Sequence, residues 1–153
     1  MAGAVRLLYL YNNQLLTAAF PPRPTHDELL AEINRWPSLR DSLVVRGWCR
    51  KVLTPSVTVF FHFVFARIDP IAANTFFAKL GAGDDLTKDS PIYCLRERLL
   101  DARHEGKRLL ATELYALVIK AWNAFVRGHV LRRLTWNAHE PFPTVAERRR
   151  KVG

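Results

Sequence analysis

Residues Val57–Phe65 read VTVFFHFVF, and the fold turns on whether they form a strand or a helix. β-Branched and aromatic residues favour a strand, and alternation would place Val57, Val59, Phe61, Phe63 and Phe65 on one face. The flanks argue the other way. Thr54-Pro55 stands just before the stretch and Asp69-Pro70 follows it after three residues, and each pair is a helix-start signal. The threonine or aspartate oxygen accepts an orphan backbone N–H, while proline at the first helical position has no N–H to lose. No strand partner precedes the stretch, so a helix near residues 55–67 is the expectation. His62 within it is read as a half-buried, hydrogen-bonded histidine.

The same punctuation organises the rest of the chain. Ser90-Pro91 is a third capped start, and Thr25-His26-Asp27-Glu28 has the form of a capping box. Gly81, Gly106 and Gly128 follow apolar-periodic segments and are expected as left-handed C-terminal caps. Residues 18–24, AAFPPRP, carry three prolines and should be a stiff non-helical linker. Helices are therefore expected near 4–16, 25–35, 38–51, 55–67, 70–80, 91–105 and 112–127. The fold class is all-α: a compact single-domain bundle of six to seven helices over residues 1–143, with an extended C-terminal segment. Residues 144–153 are expected to be a basic, flexible tail.

Within the last helix, LYALVIKAWNAFVRG (114–128) is apolar around most of its circumference. Leu114, Leu117, Val118, Ala121 and Phe125 make one stripe, and Tyr115, Ile119, Trp122 and Val126 a second. Glu113, Lys120, Asn123 and Arg127 fall on one narrow polar edge at spacings of three and four. Such a helix is central, with one strip facing water or a partner. Asn123 is expected to bond the backbone of the EPFP segment (140–143) folding back over it.

The 153-residue chain is long enough for one ordinary domain, and 49% apolar residues with 11% aromatics indicate a packed core. Its formal charge of +9 is unevenly placed. Residues 1–90 hold ten Lys and Arg against eight Asp and Glu, a net of +2; residues 91–153 hold thirteen against six, a net of +7. That asymmetry points to an anionic partner, nucleic acid first, for the C-terminal part. The candidate contact residues are Arg96, Arg103, Lys107, Arg108, Lys120, Arg127, Arg132 and Arg133, together with the closing Arg148-Arg149-Arg150-Lys151. Arg96 and Arg103 lie seven apart on one helical face, where pairing with Glu97, Asp101 and Glu105 competes with any phosphate contact. A second arrangement is a helix-turn-helix over 25–35 and 38–51, with the turn at Trp36-Pro37 and Arg40, Arg46, Arg50 and Lys51 on the second helix.

Catalytic signatures are scarce. The histidines (His26, His62, His104, His129 and His139) form no HExxH and no pairing with cysteine at ligand spacing. Cys49 and Cys94 have no CxxC spacing and are expected as reduced thiols. GxGxxG, Walker and GxSxG motifs do not occur. Asp84, Asp85 and Asp89 cluster in GAGDDLTKDSP without the pattern of a calcium loop. A divalent-metal nuclease using Asp84 and Asp85 is the weakest alternative. No catalytic residue, metal or cofactor is assigned. A leader-like core is interrupted by Arg6 and by Tyr11-Asn12-Asn13-Gln14, and VTVFFHFVF is far shorter than the ~20 residues of a membrane span. A cytoplasmic location is expected.

Several ordered motifs carry a family resemblance. IAANTFFAKLGAGDDLTKDSPIYCLRERLL, then LYALVIKAWNAFVRG, then LTW and EPFP, resemble the C-terminal helical half of certain phage and prophage proteins. In those proteins an N-terminal ParB/sulfiredoxin-like domain, marked by a D-G-x-H-R motif, precedes the helical region. The likeness is good over roughly residues 69–143 and looser before them. It implies a phage-derived helical accessory domain associated with DNA, or a module packing on a ParB-like partner domain. The D-G-x-H-R motif does not occur in this chain, so no catalytic residue carries over.

Overall fold

Pro55 opens a helix. In a computed structural model of the chain, residues 1–147 are described and form α1 (Ala2–Asn12), α2 (His26–Arg35), a 3-10 helix η1 (Pro37–Val45), α3 (Pro55–Ala66), α4 (Pro70–Ala82), α5 (Pro91–His104) and α6 (Ala111–Arg127). There is no strand among the described residues. Thr54 caps α3, its Oγ1 accepting the Val57 N–H at 3.4 Å. All nine residues from Val57 to Phe65 are buried, so the apolar character extends around the whole helix. A helix of that kind is a central element, and α3 packs against α1, η1 and α4. Burial on every face overrides the β propensity of Val and Phe, which reflects fit to a half-buried surface rather than an intrinsic backbone preference.

Of the four capped starts expected from the sequence, three have their side-chain cap and one does not. Glu28 N–H donates to Thr25 Oγ1 at 3.2 Å while Thr25 N–H donates to Glu28 Oε1 at 3.0 Å, completing the capping box. Asp69 Oδ1 accepts the Ala72 N–H at 3.1 Å. Ser90 makes no side-chain cap; the turn before α5 closes through its backbone instead, Ser90 N–H donating to Thr87 O at 3.0 Å.

Two ends differ from expectation. α1 stops at Asn12 rather than near residue 16, because Gln14 turns left-handed (φ 58°) and Leu15 N–H returns to Leu10 O at 2.8 Å. Gly81 is not the cap of α4: the helix runs through it to Ala82, and Gly83 (φ 74°) is the left-handed residue. Gly81 serves a close approach instead, since a Cβ there would lie 2.0 Å from the Trp48 carbonyl oxygen. Gly106 and Gly128 are left-handed as expected.

The expected helix 38–51 is a larger departure. Residues 37–45 form a 3-10 helix and residues 46–52 continue as turns, so no recognition helix follows α2 and the helix-turn-helix reading is withdrawn. The burial pattern explains it. Leu39, Ser42 and Val45 are the buried residues of η1, and a spacing of three lines up on one face only at 3.0 residues per turn.

Behind these elements lies one aromatic core. Phe65 of α3 stacks on Trp122 of α6 with centroids 4.3 Å apart and planes 3° from parallel, and Phe76 of α4 meets Trp122 edge-on at 5.7 Å. No helix among the described residues is long and apolar enough to cross a membrane.

Candidate nucleic-acid interface

Arg96 and Arg103 share one face of α5 because seven residues are nearly two full turns. Both arginines of that face are used inside the fold. Arg96 Nη1 donates to Leu80 O at 2.7 Å and to Gly81 O at 3.0 Å, capping carbonyls that the last turn of α4 leaves without helical partners. Arg103 Nη1 donates to Arg50 O at 3.2 Å and also to Lys51 O, fastening the turns after η1 to the end of α5. Neither arginine pairs with Glu97, Asp101 or Glu105 among the described residues. The side chain of Arg96 is half-buried, whereas Arg103 is exposed.

The polar edge of α6 is also occupied from within the chain. Glu113 pairs with Arg98 at 3.2 Å, joining α6 to α5. Lys120 Nζ donates to Thr135 O at 2.5 Å and pairs with Glu140 Oε2 at 3.2 Å. Asn123 Nδ2 donates to Thr144 O at 2.9 Å, and its Oδ1 accepts the Ala146 N–H at 2.7 Å. The partner of Asn123 thus lies just beyond the EPFP segment. The chain is pinned on α6 as far as Ala146, past the boundary expected at residue 143. Trp136 and Phe142 meet edge-on at 6.2 Å, and Trp136 Nε1 donates to Pro141 O, closing the loop that carries this segment back.

The remaining candidates form two groups. Lys107 and Arg108 are exposed beyond the turn at Gly106, where Lys107 N–H returns to Ala102 O at 3.0 Å. Arg127, Arg132 and Arg133 are exposed at the opposite end of α6. The helix between holds 17 residues, which separates the groups by about 24 Å. None of these five side chains takes part in an ion pair or hydrogen bond among the described residues. Arg148, Arg149, Arg150 and Lys151 lie outside those residues.

One feature was not legible in the sequence. Lys51 and Arg50, assigned there to a helix-turn-helix, stand beside Arg103 of α5; a contact between residues more than fifty positions apart leaves no local pattern. His62 is hydrogen-bonded as expected, though buried rather than half-buried, and its partners come from distant segments. Its Nδ1 lies 2.8 Å from Ser42 Oγ and its Nε2 2.7 Å from Asn74 Oδ1. An amide oxygen accepts only, so Nε2 carries the proton and Nδ1 accepts from the Ser42 hydroxyl. Burial pushes the His62 pKa down, partly offset by the bond to Asn74. Ser42 and His62 are both buried and Asn74 is exposed, and the group ties η1, α3 and α4 together.

Asp84 and Asp85 are exposed in the turn after α4, with no third carboxylate, His or Cys grouped with them among the described residues. A cleft of about 990 Å³ lies between Leu10, Leu16, Tyr115, Trp136 and Phe142, with Arg6 on its wall. Leu110 lines it and is 76% exposed; Phe20, between lining residues Ala19 and Pro21, is 94% exposed. No family model matches the chain, and no curated protein or solved structure is similar enough to support a comparison.

Proposed function

We propose that this chain is a non-enzymatic helical accessory domain that associates with DNA through exposed basic side chains of its C-terminal half. The observation that carries the reading is the +7 balance of residues 91–153, combined with the absence of ion-pair partners for Lys107, Arg108, Arg127, Arg132 and Arg133 among the described residues. Cations left without carboxylates retain their field for phosphate, and each neutralised phosphate releases condensed counterions. The resemblance to helical halves of phage proteins bearing ParB-like domains is in keeping with such a role. Arg96 and Lys120 are engaged by the fold and contribute positioning rather than free charge. The test is a gel-shift series with duplex DNA at low salt, followed by a salt titration. Binding that weakens linearly in log–log form supports the reading; failure to retard any duplex at low salt ends it.

A second reading follows from the cleft: a protein-interaction module that packs on a ParB-like domain supplied by another chain. Phe20 and Leu110 present large apolar surface beside a concave wall, an arrangement associated with protein contact. Calorimetric titration with a purified ParB-like domain encoded by an adjacent gene tests it. Binding lost on Phe20→Ser with Leu110→Ser would favour this reading over direct DNA association.

A further inference from the structure

The basic residues of the sequence do not gather where their numbering puts them. Arg103 closes the last turn of α5 against the backbone of Arg50 and Lys51, so cations from two distant segments share one edge of the molecule. Arg50, Lys51 and Arg103 are all exposed, and none pairs with a carboxylate among the described residues. Arg103 spends Nη1 on the two carbonyls, leaving Nη2 and Nε of an exposed fork, the geometry suited to phosphate oxygens. The Arg50 side chain is folded over Gly47, where an added Cβ would stand 3.1 Å from its Nε. That position is specified by the turn.

The nearby acids do not cancel this edge. Asp101 and Glu105 stand two residues either side of Arg103, about 160° around the helix axis from it, so their carboxylates project away from the face that carries the guanidinium. Lys107 and Arg108 follow within five residues of Arg103 and extend the basic edge past the Gly106 turn. Arg127, Arg132 and Arg133, by contrast, stand at the far end of α6.

Resting on the DNA-association reading, we infer that Arg50, Lys51 and Arg103, continued by Lys107, form the edge that contacts the phosphate backbone of a DNA duplex. The contact is sequence-independent: the residues meet phosphate through charge and donor geometry rather than through base edges. Arg103 has two tasks here, holding the 50–51 backbone in place and offering its remaining donors.

The experiment measures fluorescence anisotropy of a labelled DNA duplex against salt concentration, using the full chain. The double variant Arg50→Gln with Lys51→Gln leaves the carbonyls that Arg103 binds unchanged, and its fold is checked by circular dichroism. It is expected to weaken binding by about tenfold or more at low salt and to flatten the log–log salt slope by about 1.8, from 0.9 for each of two lost phosphate contacts. The comparison variant is Arg127→Gln, Arg132→Gln and Arg133→Gln together. Loss in the double variant supports the inference whether or not the triple variant also loses affinity. An unchanged slope in the double variant with loss in the triple variant overturns the inference while leaving DNA association standing. Failure of the unmodified protein to bind at low salt overturns both.

Discussion

Asn123 Oδ1 accepts the Ala146 N–H at 2.7 Å while the same amide donates to Thr144 O at 2.9 Å, so one side chain holds the C-terminal segment on α6. Both bonds require an amide. Asn123→Ala is expected to cost about 1–2 kcal/mol and to release residues 144–147 before the domain unfolds. Hydrogen exchange reads this directly: the Ala146 amide should lose protection in the variant while amides in the middle of α3 keep theirs. Equal protection at Ala146 in both proteins would show that the segment is held by other contacts.

Arg96 is a second clamp whose loss has a definite signature. Arg96→Gln shortens the side chain away from Leu80 O and Gly81 O, leaving two α4 carbonyls without their charged donor. A destabilisation of about 1.5–3 kcal/mol is expected from the loss of charge-assisted hydrogen bonds. Arg96→Lys should not restore it fully, because an ammonium lacks the planar fork of guanidinium. Urea denaturation of the three proteins gives the comparison.

Gly81→Ala tests the close approach of α4 to the turn after η1. The new Cβ would meet a backbone carbonyl at 2.0 Å, a contact that no rotamer change relieves. A loss of roughly 1–3 kcal/mol or more is expected, as for overpacking in a core. The opposite sign is expected at Gln14, whose left-handed backbone suits glycine: Gln14→Gly should stabilise by roughly 0.5–1 kcal/mol, the relief of left-handed strain being partly offset by glycine's entropy. Thermal melts of the two variants should shift in opposite directions.

His62 makes stability depend on pH. Its folded pKa lies below the ordinary value of 6.5, chiefly because burial disfavours the imidazolium. The unfolded chain therefore binds the proton more readily between the two pKa values. His62's contribution is fully present above pH 6.5 and declines as pH falls from there through the folded pKa. Replacing His62 by Gln should flatten that part of a stability-against-pH curve; an equally steep curve in the variant would assign the dependence elsewhere.

The two thiols should be distinguishable by reactivity. Cys49 is fully buried, donates through Sγ to Phe77 O at 3.2 Å, and has its pKa pushed up to about 12 by burial. Cys94 is half-buried and its pKa is also raised, by burial and by the nearby Asp89. Iodoacetamide near pH 8 is expected to label Cys94 slowly and Cys49 only once the chain unfolds, because the thiolate is the reacting species. Mass spectrometry of the native and urea-unfolded protein settles the order.

Local signals determined much of this protein from its sequence alone. Thr54-Pro55, Asp69-Pro70 and the Thr25–Glu28 capping box mark helix starts through groups at most three residues apart, so they are readable without knowing the fold. The stripes of α6 are equally local, since helical period alone makes it a buried helix with one polar edge. What lay beyond the sequence depends on contacts between distant segments. Ser42 and Leu39 face inward at a spacing of three only because α3 lies against them, and that selects 3-10 geometry where a further α-helix was expected. Arg96 and Arg103 read as free charge until α4 and the 50–51 turn bring carbonyls to them. Lys120 likewise reads as a surface cation until the C-terminal segment returns across α6, and the fold-back expected at Asn123 finds its partners at Thr144 and Ala146, just beyond EPFP. A side chain's chemistry is written in the sequence, but its partner is chosen by packing, and packing decides which charges remain for anything outside the molecule.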